Sequence, residues 1–499
     1  MMANNSEIIE YFNGKNIFLT GATGFVGKLL IDQLLRKCQP NKLYLLIRSK
    51  KGIEPDKRLE QLFQEVVYER LIKEKPDILE KVELINGDLS ENDLGINETS
   101  LTTLIENVNV VIHGGATVRF DEHIKIATKI NVKGTMSMIK LCHRIKKLEA
   151  FVYVSTAYSN CPYMEIKEEF YDPPLTCDEL LQLTDKYSDN ELEKMTEKII
   201  GKWPNSYVFT KAVAENAVKT YATGLPVSVF RPAIIIGTLN EPIPGWIDNI
   251  YGPTGLLAGV AVGVVRVIHT DPNAKADIVP ADMVASAIVA AAYKTKLMGP
   301  TNEIPIYNYV TAKENPITWS DYLENTSRIG KKMPLEKSVW KFSCTLQPNP
   351  FLFALYSFFL HFIPAALADI VLLLLNKKTG ALKVFKKGGK FMKVLSYFST
   401  RTWKFSNNNV LALWNGMNKV DKQLFNFNMQ SVDWYEYFRT AVPGVRLYIF
   451  KESSDNIPIA RRKYKRQSLI QTTILTLLYG FLAILLWKWT SNVYTLLKS

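Results

Sequence analysis

Tyr207 and Lys211 stand four residues apart in SYVFTKA, so on a helix both project from one face. Hydride addition to a carbonyl creates an alkoxide that must be protonated or stabilised as it forms. A tyrosine hydroxyl can supply that proton if an adjacent cation lowers its pKa from the ordinary value near 10. Lys211 is the predicted cation. Thr156, at the end of the predicted strand 150–154 (AFVYV), is placed to hydrogen-bond the developing oxyanion, with Ser155 beside it to share the task. A bare YxxxK arises by chance in most chains of this length and then marks only a helix surface. The motifs that precede this one give it meaning.

Residues 16–19 (NIFL) are a short apolar run, 20–27 read TGATGFVG, and 28–37 (KLLIDQLLRK) are amphipathic. That is strand, glycine turn, helix. Gly21 permits the tight turn, Gly24 lets backbone N–H groups approach a pyrophosphate, and Gly27 lets the helix pack on the strand. Thr20, Thr23, Phe25 and Val26 complete this cradle. A plain structural turn is the competing reading, and the correct flanks favour a dinucleotide, hence a nicotinamide cofactor. A second strand, 42–47, ends at Arg48 in RSKK, about 20 residues past the glycines. An acid there would hold the 2′-hydroxyl of NAD, whereas basic residues accept the 2′-phosphate, so NADPH is expected. Asp88 and Leu89 of GDL follow a third strand and are expected at the adenine. A fourth strand, 108–112, leads into HGGATVRFDE, where Gly115 and its small neighbours let the cofactor lie against the backbone. His113 reads as packed beneath the cofactor. Asn131 opens NVKGT and joins the cofactor set, as do Tyr207 and Lys211, the lysine holding the nicotinamide ribose.

The elements that must position these groups alternate strand and helix, which predicts an α/β fold with a Rossmann-type, doubly wound parallel sheet. Ligands in such sheets collect at the carboxyl ends of the strands, where all these motifs fall. Residues 159–205 form a long, acidic, partly helical insertion, either surface decoration or a lid. The block 230–263 packs glycines and prolines with Trp246, Asp248, Asn249 and Tyr251, which predicts a shaped substrate wall; a buried connection is the alternative. DIVPAD, 277–282, closes the substrate region. No Ser/His/Asp order and no metal-ligand cluster stands out, so no metal is expected. The five cysteines are scattered and free of CxxC spacing, which points to neither a disulfide framework nor a zinc site.

The net charge of +13 is read as a membrane surface plus a phosphate-bearing ligand, since no nucleic-acid motif appears. The opening MMANNSEIIEYFNGK lacks the apolar core of a signal peptide. Residues 469–487 run without a charge, enough helix to nearly match the ~30 Å hydrocarbon core. The basic stretch 460–466 (ARRKYKR) should stay cytosolic and leave 488–499 across the membrane. A second apolar region, 351–375, is divided by Pro364, and Asp369 would be costly at a bilayer centre. It reads as a broken helical pair, buried or dipping into one leaflet.

TGATGFVG, HGGATVRFDE, NVKGT, VYVSTAY, SYVFTK, the RPAII–EPIPGWIDN–GPTG block and DIVPADMV together resemble the alcohol-forming fatty acyl-CoA reductases. These are extended short-chain dehydrogenases, and the likeness is to the membrane-bound eukaryotic ones. It is dense over 12–300 and looser through 391–413 and 427–438. The resemblance implies an NADP-binding reductase domain at 12–300, a mainly helical C-terminal domain at 320–450 and a transmembrane helix at 469–487. It implies reduction of a long-chain fatty acyl-CoA to a primary alcohol by NADPH with release of CoA, through an aldehyde. It further implies a lipid bilayer as partner, a homo-oligomer being compatible with it, and a single-pass anchor in an intracellular membrane, peroxisome or endoplasmic reticulum, with the catalytic part in the cytosol. A membrane-associated 3β-hydroxysteroid dehydrogenase, a nucleotide-sugar epimerase and a non-catalytic cofactor-binding scaffold are the alternative readings. RSKK, the apolar tail and the intact Thr156, Tyr207 and Lys211 argue against each in turn.

Overall fold

Short, nearly all-apolar runs bounded by polar turns become strands buried on both faces, as parallel sheets require. The computed structural model describes residues 5–311 and 313–498; the start of the opening segment and Ser499, the end of the predicted tail, lie outside them. β1 (Asn16–Thr20), β2 (Lys42–Ile47), β3 (Val82–Asn86), β4 (Val110–His113), β5 (Ala150–Val154), β6 (Val227–Pro232) and β7 (Ile306–Tyr309) form one sheet, in the order β3-β2-β1-β4-β5-β6-β7. Every pairing is parallel. The chain steps outward from β1 to β3, then returns to β4 on the other side of β1. The crevice at the carboxyl ends of β1 and β4 is therefore the topological switch point, where ligands of such sheets bind. The predicted boundary at residue 300 falls short, because β7 completes the sheet beyond it.

Helices α1 (Phe25–Gln33), α2 (Gly134–Arg144), α3 (Ser206–Tyr221) and α5 (Ala281–Met298) cover the sheet, and α4 (Gly252–Val262) stands over its carboxyl edge. Buried alanines at 285, 287, 290, 291 and 292 let α5 approach the strands closely. The C-terminal third is mainly helical. Its short strands stitch it to the rest: Lys404–Phe405 pairs with Glu165–Ile166, and Thr345–Gln347 with Val267–His269.

The region around Pro364 departs from expectation. α6 (Pro350–Leu374) runs through the proline as one helix. A π-helical turn at Phe358–Phe362 precedes Pro364. The widened turn accommodates the ring and its missing N–H, so the helix does not break. α6 is long and apolar enough to cross a membrane and only 11% of its most apolar window is buried. Asp369 does not sit alone on it: its carboxylate accepts from the N–H groups of Gly380, Ala381 and Leu382, capping α7 (Ala381–Ser399). The last helix, α8 (Ile457–Lys498), begins well before the charge-free stretch 469–487 and contains all of it.

Candidate active site

A cavity of about 960 Å³ runs from the carboxyl ends of β1 and β2, past α3, to α4 and α7. At one end lies the glycine turn. Gly21 has φ +77°, and a Cβ on Gly27 would meet the Gly21 carbonyl oxygen at 2.1 Å, so neither position takes a side chain. Gly24 caps α1 without a side-chain hydrogen bond, which leaves the first N–H groups of the helix for an anion. Thr20 faces inward: its hydroxyl receives the Gly115 N–H at 3.1 Å and bonds His113 Nδ1 at 2.7 Å. His113 Nε2 reaches Thr135 at 3.1 Å. Burial, then the nearby Lys211 charge, pushes His113 down to about 3, so it is a neutral floor group outside the cavity lining.

Thr23, Phe25, Val26, Arg48, Asp88, Leu89 and Gly115 all line this end. Arg48 and Asp88 form an ion pair at 2.9 Å across the second and third strand ends. Two further cations complete the cluster. Lys50 and Arg58 line the cavity, and Arg58 donates to the Arg48 carbonyl at 2.5 Å and to Thr23 Oγ1 at 3.1 Å. Burial, then repulsion from the neighbouring cations, depresses the pKa of both. Arg58 escaped the sequence reading because it sits on the next helix, Pro55–Phe63, with no motif around it. Asn131 lies outside the lining. Its amide spans Thr117 and the Thr210 hydroxyl of α3, so it holds the 117 loop to α3 and does not face the cavity.

Tyr207, Lys211 and Glu215 occupy successive turns of α3. Tyr207 borders the cavity against Phe120, ring centroids 5.9 Å apart, and Thr156 lines the same cavity. Burial raises the phenol to about 12, with the influence of the Thr156 hydroxyl acting against it. The expected lowering by Lys211 is therefore not what this structure shows. The Lys211 ammonium, buried at 2% exposure, points to the Val154 carbonyl at 2.8 Å and lies 3.4 Å from the Tyr153 hydroxyl. A raised phenol still suits a proton donor, since it stays protonated until the alkoxide claims its proton.

Ser155 also borders the cavity, but its hydroxyl is committed elsewhere, donating to Glu215 at 2.5 Å. Glu215 further accepts from Ser159 at 2.9 Å and from the Arg231 guanidinium at 2.9 and 2.6 Å. Thr156, whose hydroxyl does not bond Glu215, also lines the cavity. Glu215 was absent from the sequence reading; its only signal there is the next α3 turn after Lys211.

The comparisons with known proteins agree with this geometry. An NAD-binding profile described as "Male sterility protein" matches residues 19–288, and a "Sterile" profile of the same description matches 360–452. Fatty acyl-CoA reductase wat of Drosophila melanogaster is 40% identical over 491 residues, covering 98% of this chain and 93% of its own. Fatty acyl-CoA reductase 1 of Homo sapiens is 36% identical over 485 residues, covering 96% and 93%. The chain belongs to the fatty acyl-CoA reductases. The reductase shares its fold with the reductase domain of a nonribosomal peptide synthetase from Mycobacterium tuberculosis, at TM-score 0.57 and 20% identity over 89% of this chain and 96% of that one. The Gly21–Gly27 turn, the free start of α1 and the cation cluster fit a nicotinamide dinucleotide.

The far side of the reductase cavity is walled by Asp248, Asn249 and Tyr251, then by apolar Leu256, Leu257, Val260, Ile268, Leu346, Leu395 and Phe398. Trp246 is not part of that wall. It is 2% exposed and packs on Phe25, ring centroids 5.3 Å apart, with the Lys28 ammonium 5.9 Å from its ring. Lys28 also pairs with Asp248 at 2.9 Å, and Lys37 with Glu241 at 2.5 Å, so the EPIPGWIDN block is clamped to α1 and to the Leu34–Cys38 turn that follows it. Asp282 of DIVPAD holds the same block by accepting from the N–H groups of Leu239, Asn240 and Glu241. The insertion 159–205 contributes nothing to the lining. It is stapled in place, Arg231 donating to the carbonyls of Lys167 and Glu169, and acts as a buttress rather than a lid over the reductase.

The charge of Lys211 sets a pH dependence. Burial lowers it to about 7 while Glu215 supports the ammonium. The ammonium is present below that value and lost above it. The kcat/KM of the reductase, which reports the free enzyme, should fall as pH rises through about 7, and Glu215→Gln should move that descending limb to lower pH. A pH–rate profile identical in the two proteins would separate Glu215 from the ammonium.

Proposed function

We propose that the chain reduces long-chain acyl-CoA to the primary alcohol with two molecules of NADPH. The observation that carries this reading is one continuous cavity that joins a dinucleotide cradle, the Tyr207–Thr156 pair and an apolar end. Bound in the cradle, the reduced nicotinamide supplies the hydride for each reduction. Thr156 hydrogen-bonds the thioester oxygen, and Tyr207 gives its proton to the oxygen as it gains charge. The resulting hemithioacetal expels CoA as the thiol and leaves an aldehyde. The same two groups then act on the aldehyde oxygen, so acyl-CoA, two NADPH and two protons become alcohol, CoA and two NADP⁺. Lys211 orients the ribose and balances charge beneath the site. Asn249 and Tyr251, which line the cavity, meet the substrate.

Preference for NADPH rests on Arg48, Lys50 and Arg58, which converge where a 2′-phosphate would lie. Arg48→Asp should weaken NADPH binding and improve NADH use, because the phosphate then meets a like charge beside Asp88. Cofactor titrations of both proteins check this; an unchanged NADPH-to-NADH ratio assigns the cluster a structural role only.

The same reading places the apolar half of α8 in an intracellular membrane, peroxisome or endoplasmic reticulum, as a single-pass anchor with the catalytic part in the cytosol. Exposed Leu469, Ile474, Leu477, Phe481, Ile484 and Trp487 support it. The activity is tested by incubating purified protein with NADPH and acyl-CoAs of several lengths and identifying products by mass spectrometry. Primary alcohol and free CoA, with two NADPH oxidised per alcohol, are expected. Aldehyde as the end product would reduce the proposal to one step, and no acyl reduction at any length would overturn it.

A further inference from the structure

We propose that α6 and α7 form a hairpin seated in an anionic bilayer leaflet, a second membrane contact beside α8 that floors the apolar end of the cavity. The inference rests on the membrane reading of α8 above and adds a partner surface in a different part of the chain. α6 has no polar face to offer water. Phe351, Phe359, Leu367, Leu373 and Leu374 are each more than half exposed, and the helix has a mean hydropathy of 2.0. A helix apolar all round needs either a protein core or lipid around it, and only 11% of the most apolar window of α6 is buried by protein.

The hairpin also hides its one acid. The Asp369 oxygens take the three N–H groups at the start of α7, which ties the two arms together and returns the chain to the side it left. The returning arm is basic. Between Asp369 and Asp421 there is no aspartate or glutamate, while Lys383, Lys386, Lys387, Lys390 and Lys393 are all exposed on α7. Exposed cations without counter-charges beside an apolar helix suit lipid phosphates and serines, and they choose a lipid surface over an apolar protein partner.

Position supplies the third argument. Trp340 Nε1 donates to Gln471 of α8 at 2.6 Å, the Arg266 guanidinium lies 5.4 Å from the centre of the Trp340 ring, and the Arg266 N–H donates to His361 of α6 at 2.9 Å. α6 and α8 therefore spring from one corner, and a bilayer that takes one is within reach of the other. The inner end of α7 supplies Leu395, Phe398 and Ser399 to the cavity. One helix thus faces headgroups with its lysines and the acyl end of the cavity with its apolar terminus. The acyl chain and the alcohol can pass between leaflet and cavity while CoA stays in water.

The test uses the full chain in vesicles of phosphatidylcholine with phosphatidylserine. Nitroxides are placed singly at Leu367, Lys387 and Leu477, with Glu80 as an aqueous control, in a Cys344→Ser background because the other four cysteines are buried. The expected result has three parts. Residues 367 and 477 relax with oxygen and are shielded from a water-soluble nickel complex. Residue 387 relaxes with nickel carried on a lipid headgroup. That headgroup signal weakens in vesicles of phosphatidylcholine alone. Residue 477 immersed, with 367 as open to aqueous nickel as residue 80, overturns the hairpin and leaves the α8 anchor standing. Residue 367 immersed with 477 in water upholds the hairpin and overturns the anchor. Residue 367 shielded from oxygen and nickel alike, with spin–spin broadening between molecules, assigns the face to a second copy and overturns the inference. A headgroup signal indifferent to phosphatidylserine overturns the anionic preference.

Discussion

Tyr207→Phe should leave NADPH binding near normal and slow acyl-CoA reduction by about 10²–10⁴-fold, the range for a lost acid–base group. The phenylalanine keeps the ring against Phe120 and the helix around it, so the loss is chemical and not structural. It removes the phenol that borders the cavity together with Thr156. NADPH oxidation at saturating acyl-CoA measures the rate, and cofactor fluorescence measures binding in the same preparation. Turnover within a few-fold of the parent would place the proton donor elsewhere. Lost cofactor binding would show that the phenol serves the cradle instead.

The second large effect is on stability. Arg231 and Glu215 are 0% and 1% exposed and paired at 2.6 Å, a charge pair removed from water. Removing one partner strands the other, so Arg231→Met or Glu215→Leu alone should cost about 3–5 kcal/mol of stability. The double substitution should recover part of that loss, because neither member of the pair is left unpaired, while Lys211 still loses its supporting carboxylate. Denaturation midpoints of the four proteins complete the cycle. Additive losses would mean that the pair acts through separate partners. The double variant should also remain slow, since Ser155 and Ser159 lose the carboxylate that fixes the turn carrying Thr156.

How much of this was legible beforehand follows the distance over which each feature is built. The Tyr207–Lys211 pair and the Gly21–Gly27 turn are local: four residues on one helix face, or one turn between a strand and a helix, carry the whole signal. Apolar runs of strand length between helical patterns likewise implied a parallel, doubly wound sheet. The place of Trp246 is not legible in the sequence, because an aromatic in a rigid loop reads equally as wall or core. Only packing on Phe25 and the Lys28 contact separate the two. Pro364 was misjudged because a π-turn, invisible in composition, absorbs it.

The sequence by itself therefore determined the chemistry on offer, the cofactor class, the sheet and the apolar segments, since each is written in residue types at helix, strand or turn spacing. Tertiary structure alone decided which groups are free to use that chemistry. Ser155 was withdrawn by Glu215, 60 residues away, and Arg58 was brought to Thr23 from 35 residues away. Asp248 was drawn to Lys28 across 220. Such pairings carry no periodic signal in the chain. Burial makes an unpaired polar group costly, and the fold selects partners from whatever distant residues it brings together.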